Sequence, residues 1–186
     1  QWTLEAFASL GYPRERITVC GHPQYDLTRI LRNEWSPIGM QAFRKRLFPD
    51  LPPKRKILVF VSEGSLCYDL LPRQSVVDYG FKGRGEDKGR TKVVLEEVLD
   101  ALTVVRPRPY FVFRAHPTEQ ASDYDSYRNE IDKLSCDGSP LELIYASDLV
   151  VGMTSMLLLE AVLLGRPTLA LLPRVEETDW LPTISA

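Results

Sequence analysis

Three short polar runs in this chain carry the residue types that hold and activate phosphate esters: Ser62-Glu63-Gly64-Ser65, Arg114-Ala115-His116-Pro117 and Thr154-Ser155. Each follows an apolar run. Gly64 suits a loop whose backbone N–H groups approach a phosphate, with the Ser62 and Ser65 hydroxyls on either side. Arg114 offers a charge-assisted, bidentate contact to the same kind of group. His116 can donate to a phosphate or act as an acid–base group. The alternatives are that Arg114 is a surface charge and His116-Pro117 a simple turn.

Glu160 is the other residue that calls for chemistry. The stretch Met156–Leu164 is apolar on all sides except at this position. Such a helix is buried, and a buried carboxylate is costly unless it is paired or hydrogen-bonded. Thr154 and Ser155 are N-cap types, and a helix start with free N–H groups is a ready anion site. Glu160 should lie roughly 7–8 Å along the axis from that start, a separation comparable to that between the phosphates and ribose hydroxyls of a nucleoside diphosphate. Otherwise Glu160 faces water or pairs with Arg166 or Arg174.

The elements that would position these residues can be read from the apolar spacing. Leu149–Val151, Gly152, the helix Met156–Leu164, Gly165 as its stop, Pro167 and the strand Thr168–Leu172 make a strand–helix–strand crossover of a parallel sheet. Further strands are expected at Ile57–Val61, Pro109–Phe113, Leu141–Tyr145 and, earlier, Ile17–Cys20. Helices are expected at Trp2–Leu10, at Asp26–Leu31 with Asp26 as cap, and within Trp35–Phe48 with Ser36 as N-cap and Pro37 at the first position. Thr91–Val105 reads as an amphipathic helix, and a polar surface helix capped by Thr118 falls within Glu119–Leu134. Pro72–Arg90 is long and unusual; its part from Gly80 to Arg90 holds four glycines and six charges in eleven residues. The sum is an α/β fold, a three-layer doubly wound parallel sheet of Rossmann-like type. Its ligands belong at the carboxyl ends of the strands, where all three polar runs fall.

Composition narrows the partners. With 186 residues, 44% of them hydrophobic, and a net charge of −2, the chain suits one domain with appended segments, and no nucleic-acid partner is expected. Glu160, Arg166 and Pro167 break its most apolar region short of a membrane span. Cys20, Cys67 and Cys136 are scattered, which suggests free thiols and a cytoplasmic setting. Two histidines and three separated cysteines give no metal-ligand spacing, so no metal is expected. There is no G-x-S-x-G elbow for a serine hydrolase. His22, in Gly21-His22-Pro23, reads as a linker turn. A first residue of Gln rather than Met suggests a piece of a longer polypeptide.

The run from Ala146-Ser147-Asp148 through Glu160-Ala161 to Gly165-Arg166-Pro167 resembles the donor-site unit of GT-B-fold proteins. These are the nucleotide-sugar glycosyltransferases, the CDP-glycerol transferases and the non-hydrolysing UDP-N-acetylglucosamine 2-epimerases. Gly21-His22-Pro23-x-Tyr25-Asp26 resembles the G-x-P-x-x-D segment between their halves, and Arg114-Ala115-His116-Pro117 their K/R-x-H-P run. The resemblance implies residues 1–35 as the end of an N-terminal half and linker, and 36–186 as a Rossmann-like donor-nucleotide domain, incomplete at its C-terminus. It implies a nucleotide-sugar of UDP or CDP type as substrate, with no tightly bound cofactor. Glu160 would hold the ribose hydroxyls, Thr154 and Ser155 the diphosphate, and His116 the phosphates or transferred group, as the catalytic residue. The acceptor site would lie on a missing N-terminal half, and the full-length protein would sit peripherally at a membrane. The role implied is in surface polysaccharide synthesis, the fragment alone being inactive. A 2-epimerase of the same fold and a non-catalytic glycan- or partner-binding module are the alternatives.

Overall fold

A computed structural model describes residues 2–64, 79–85 and 89–181. Apolar runs form the strands β1 (Ile57–Val61), β2 (Tyr110–Arg114), β3 (Lys133–Ser135), β4 (Leu149–Gly152) and β5 (Thr168–Ala170). They make one parallel sheet in the order β3-β2-β1-β4-β5. β1 lies at its centre and is buried on both faces: Ile57, Val59 and Val61 enter one core, Phe60 the other. The α-helices of the described residues are α1 (Trp2–Ser9), α2 (Pro23–Trp35), α3 (Met40–Leu47), α4 (Arg90–Val104), α5 (Pro140–Ala146) and α6 (Met156–Leu163). α3, α5 and α6 build the first core, around Phe43, Leu143, Ile144, Leu158 and Ala161. α4 builds the second, with Val94, Leu95 and Leu99 against Phe60, Phe111 and Phe113. The three-layer α/β reading therefore holds.

Several local expectations do not. Ile17–Cys20 forms no strand, and Val19 is 63% exposed; a short β-branched run with no sheet edge beside it has nothing to pair with. α2 runs to Trp35, and its N-cap is His22, not Asp26: His22 Nδ1 accepts from the Gln24 N–H, and Pro23 takes the first position. Ser36 ends α2 instead of starting a helix, and the next one begins after Gly39, whose φ of +79° breaks the chain direction. Leu141–Tyr145 is helical: Ser139 caps α5 and Pro140 opens it, and these two signals outweigh an apolar run that reads as a strand. The third strand is Lys133–Ser135 instead. Between β2 and it, Gln120 and Asp123 form a capping box on a 3₁₀ segment, Ala121–Tyr127, in place of a helix capped by Thr118. Tyr124 and Tyr127 of that segment are buried, not on the surface. Cys67 and most of Pro72–Tyr79 lie outside the described residues, whereas Lys82–Arg84 is fastened to α4 through Glu96, Glu97 and Asp100.

At the amino ends of the strands Asp148 ties three elements together. Its carboxylate accepts from the Ile57 N–H at 2.8 Å, from Lys56 at 3.1 Å and from the mostly buried Arg44 of α3. Burial pushes the carboxyl upward, but these donors outweigh it and hold it below the usual aspartate range. The stabilisation is therefore complete above the unfolded-state value and lost as pH falls through the folded one. Asp148→Asn is expected to cost about 2 kcal/mol at neutral pH. In urea titrations the gap between variant and wild type should close below about pH 4; a gap independent of pH would show that the charge of Asp148 contributes nothing.

Candidate functional site

A cleft of about 430 Å³ opens at the carboxyl ends of β1, β2 and β4. The chain steps outward from β1 to β2 and β3 and then crosses to β4 on the other side of β1, so the cleft lies at the switch in strand order. Ser62, Gly64, Arg114, His116, Thr154, Ser155 and Glu160 all line it, together with Glu63 and Pro140. Ser65 lies outside the described residues.

The loop after β2 is pinned by Glu119. Its carboxylate accepts from the His116 N–H at 2.8 Å, from the Tyr124 hydroxyl at 2.6 Å and from the Ser62 hydroxyl. Burial, and then the hydrogen bond to Glu119, raise the Tyr124 phenol well above its ordinary range, so it stays a donor. His116 Nδ1 lies 2.7 Å from Thr118 Oγ1 and accepts from the Thr118 N–H at 3.3 Å. An Nδ1 that accepts from an N–H puts the proton of a neutral imidazole on Nε2. Gly64 permits this approach: a Cβ there would collide with Thr118 Oγ1 and come within 2.9 Å of His116 Nδ1.

Arg114 is directed inward. It donates to Ser135 Oγ at 3.0 Å and to the carbonyls of Asp137 and Gly138, and burial lowers its guanidinium from the ordinary range. It thereby holds the turn that leads into α5 at the wall of the cleft. Ser62 is likewise committed to Glu119.

At the start of α6 the observed N-cap is Ser155, whose Oγ accepts from the Leu157 N–H at 3.3 Å. This leaves the hydroxyl proton free to donate. Thr154 is engaged differently: its N–H and its hydroxyl both donate to Glu63. Glu63 is in turn bound by Arg90, and Arg90 by Glu177, which Arg174 also meets. These residues are 5%, 2%, 0% and 7% exposed. Burial pulls the Arg90 guanidinium down, but the hydrogen bond to Glu177 and the charges of Glu63 and Glu177 outweigh it. None of the four registers as a site residue in the sequence, because their pairing spans up to 87 residues. The one local signal is an acid, Glu63, inside a run otherwise suited to phosphate.

Glu160 lies on the buried side of α6, 6% exposed, and pairs with neither Arg166 nor Arg174. Its Oε1 accepts from Gln24 Nε2 at 2.8 Å.

No protein-family model matches the chain, and no curated protein matches it in sequence. Solved structures do. The wall teichoic acid polymerase TagF, in a structure soaked with CDPG, matches with a TM-score of 0.55 at 17% identity, over 99% of this chain and 40% of that one. A TagF variant matches with a TM-score of 0.50 at 19% identity, again over 40% of its length. The beta Kdo 2,7 transferase KpsC of Thermosulfurimonas dismutans gives a looser likeness, 0.39 at 18% identity over 76% of this chain and 42% of that one. The fold is that of one half of a GT-B protein. The chain spans about 40% of the length of these TagF chains, and among its described residues no helix is long and apolar enough to cross a membrane.

Two outcomes follow from this geometry. Arg90→Met leaves Glu63 and Glu177 buried without their shared cation and should cost about 3–5 kcal/mol, read as a lowered urea midpoint; an unchanged midpoint would mean that the acids find other partners. Gly64→Ala should shift the imidazole resonances of His116 while those of His22, which caps α2, stay in place. If both rings keep their wild-type signals, the close packing at Gly64 does not set His116.

Proposed function

We propose that this chain is the donor-nucleotide-binding half of a glycosyltransferase-like enzyme of surface polysaccharide synthesis, with residues 1–35 as the end of the other half and the linker. The observation that carries the reading is the meeting of Ser155, His116 and Glu160 in one cleft at the switch point of the sheet. The Ser155 hydroxyl, the first-turn N–H groups of α6 and His116 Nε2 are donors suited to a diphosphate. Glu160, about 7 Å further along the axis, suits the ribose diol. Chemistry would then rest on orientation and on stabilising the departing diphosphate, with His116 as the group beside the breaking bond. The acceptor, and with it any membrane contact, would belong to the other half. The likeness to TagF in its CDPG-soaked structure makes a CDP-linked donor the first to try, and a UDP-linked one the second.

Glu63 favours a second reading. Its carboxylate occupies the two Thr154 donors that would otherwise face a phosphate, which fits a non-catalytic module that has given up donor binding. A 2-epimerase would need further acid–base groups in the cleft; His116 is the one histidine lining it.

Thermal-shift and calorimetric titrations with CDP, UDP, GDP and ADP decide between them. A nucleotide at a hundredfold excess over its dissociation constant should stabilise the wild type by about 2.7 kcal/mol. Glu160→Ala should lose that effect. Binding of a glycan but no nucleotide would favour the second reading.

A further inference from the structure

Glu160 is a buried carboxylate on an otherwise apolar helix, and its recorded hydrogen-bond donor comes from far away in sequence. Gln24 Nε2 reaches its Oε1 at 2.8 Å across 136 residues. How Gln24 arrives there can be traced. Gly21 turns the chain at φ +78°, His22 caps α2 through its ring, and Pro23 sets the first helical residue. Gln24 then stands at the second position. The Gln24 carbonyl accepts from Thr28 Oγ1 at 2.7 Å, and the Thr28 side chain is fully buried, so the first turn of α2 is fixed. α2 lies alongside α6 with like ends together. Tyr25 meets Met156 at one end, and Arg32 donates to the Leu163 carbonyl at the other.

A carboxylate held by a neutral amide keeps its charge and gains a fixed plane. An arginine or lysine partner would neutralise it and compete with a ligand for both oxygens. The amide takes one lone pair of Oε1 and leaves Oε2 and the remaining lone pairs to the cleft that Glu160 lines. We propose that Gln24 is the positioning residue of this site: it orients Glu160 to accept hydrogen bonds from a cis-diol, so that the cleft selects ribonucleotides over 2′-deoxyribonucleotides. The inference rests on the donor-site reading above and goes beyond it by assigning the selectivity to a residue of α2.

The test titrates the full 186-residue chain with CDP, 2′-deoxy-CDP, UDP and 2′-deoxy-UDP. Wild type should prefer the ribo form. Gln24→Leu, which keeps the bulk of the side chain against α6, should bind the ribo form about tenfold more weakly, the scale of one hydrogen bond to a charged group. It should bind the deoxy form within about twofold of wild type. Loss of packing alone would weaken both forms together. A second measurement needs no variant: the Gln24 side-chain amide signal of the wild type should move when CDP or UDP is added, and stay in place with the deoxy forms.

Gln24→Leu that keeps the wild-type ribo-to-deoxy ratio overturns the inference, and so does a wild type that binds both forms equally. Tighter ribonucleotide binding by Gln24→Leu also overturns it, since Gln24 would then be an occupant that the ligand displaces. If wild type binds none of the four, this inference falls; if it binds no GDP or ADP either, the donor-site reading falls with it.

Discussion

The carboxyl end of the sheet depends on charges buried away from the surface. Glu63 leaves the central strand buried, and burying a carboxylate is tolerable only with donors on it. It takes them from the Thr154 N–H, the Thr154 hydroxyl and Arg90. Arg90 is the first residue of α4, and Glu177 completes its pairing from the 3₁₀ segment Val175–Trp180. One linked set of charges thus joins the end of β1, the turn into α6, the start of α4 and the last described part of the chain. Such sets stabilise little relative to apolar packing, but they are severe about geometry, since breaking any pair strands a buried charge. The position of the α6 N-terminus relative to β1 follows from that severity.

Around this fixed point the cleft divides its polar groups into two kinds. Ser62, Arg114 and Thr154 face the cleft in sequence and topology but spend their donors on Glu119, on the Ser135–Gly138 turn and on Glu63. They build the walls. Ser155, His116 and Glu160 line the same cleft and keep hydrogen-bonding capacity beyond the bonds described. The two kinds cannot be told apart by residue type, because a hydroxyl or a guanidinium is equally suited to a carboxylate of its own chain and to a phosphate.

That is also where the sequence stops being legible. Strands β1, β2, β4 and β5, with helices α4 and α6, follow from apolar runs and stop signals a few residues apart, and the switch-point cleft follows from their order. The polar tripeptide Lys133-Leu134-Ser135 carries no strand signature; it is a strand because β2 offers it an edge. The run Leu141–Tyr145 is apolar enough for either state, and the Ser139-Pro140 pair before it decides for helix. Glu63 and Gln24 are assigned by partners brought from other elements, 91 and 136 residues away, and no spacing rule reaches that far. The G-x-P-x-x-D likeness does gain a physical meaning: glycine turn, histidine cap and proline start place Gln24 against Glu160.

Among the described residues the two outermost strands, β3 and β5, are each three residues long. An open sheet ends in rows of backbone donors and acceptors that invite another chain to add a strand. Here such an addition could recruit only a few hydrogen bonds at either side, too few to offset the entropy of ordering the incoming segment. Among the described residues, neither border is therefore long enough to drive pairing through the sheet by itself.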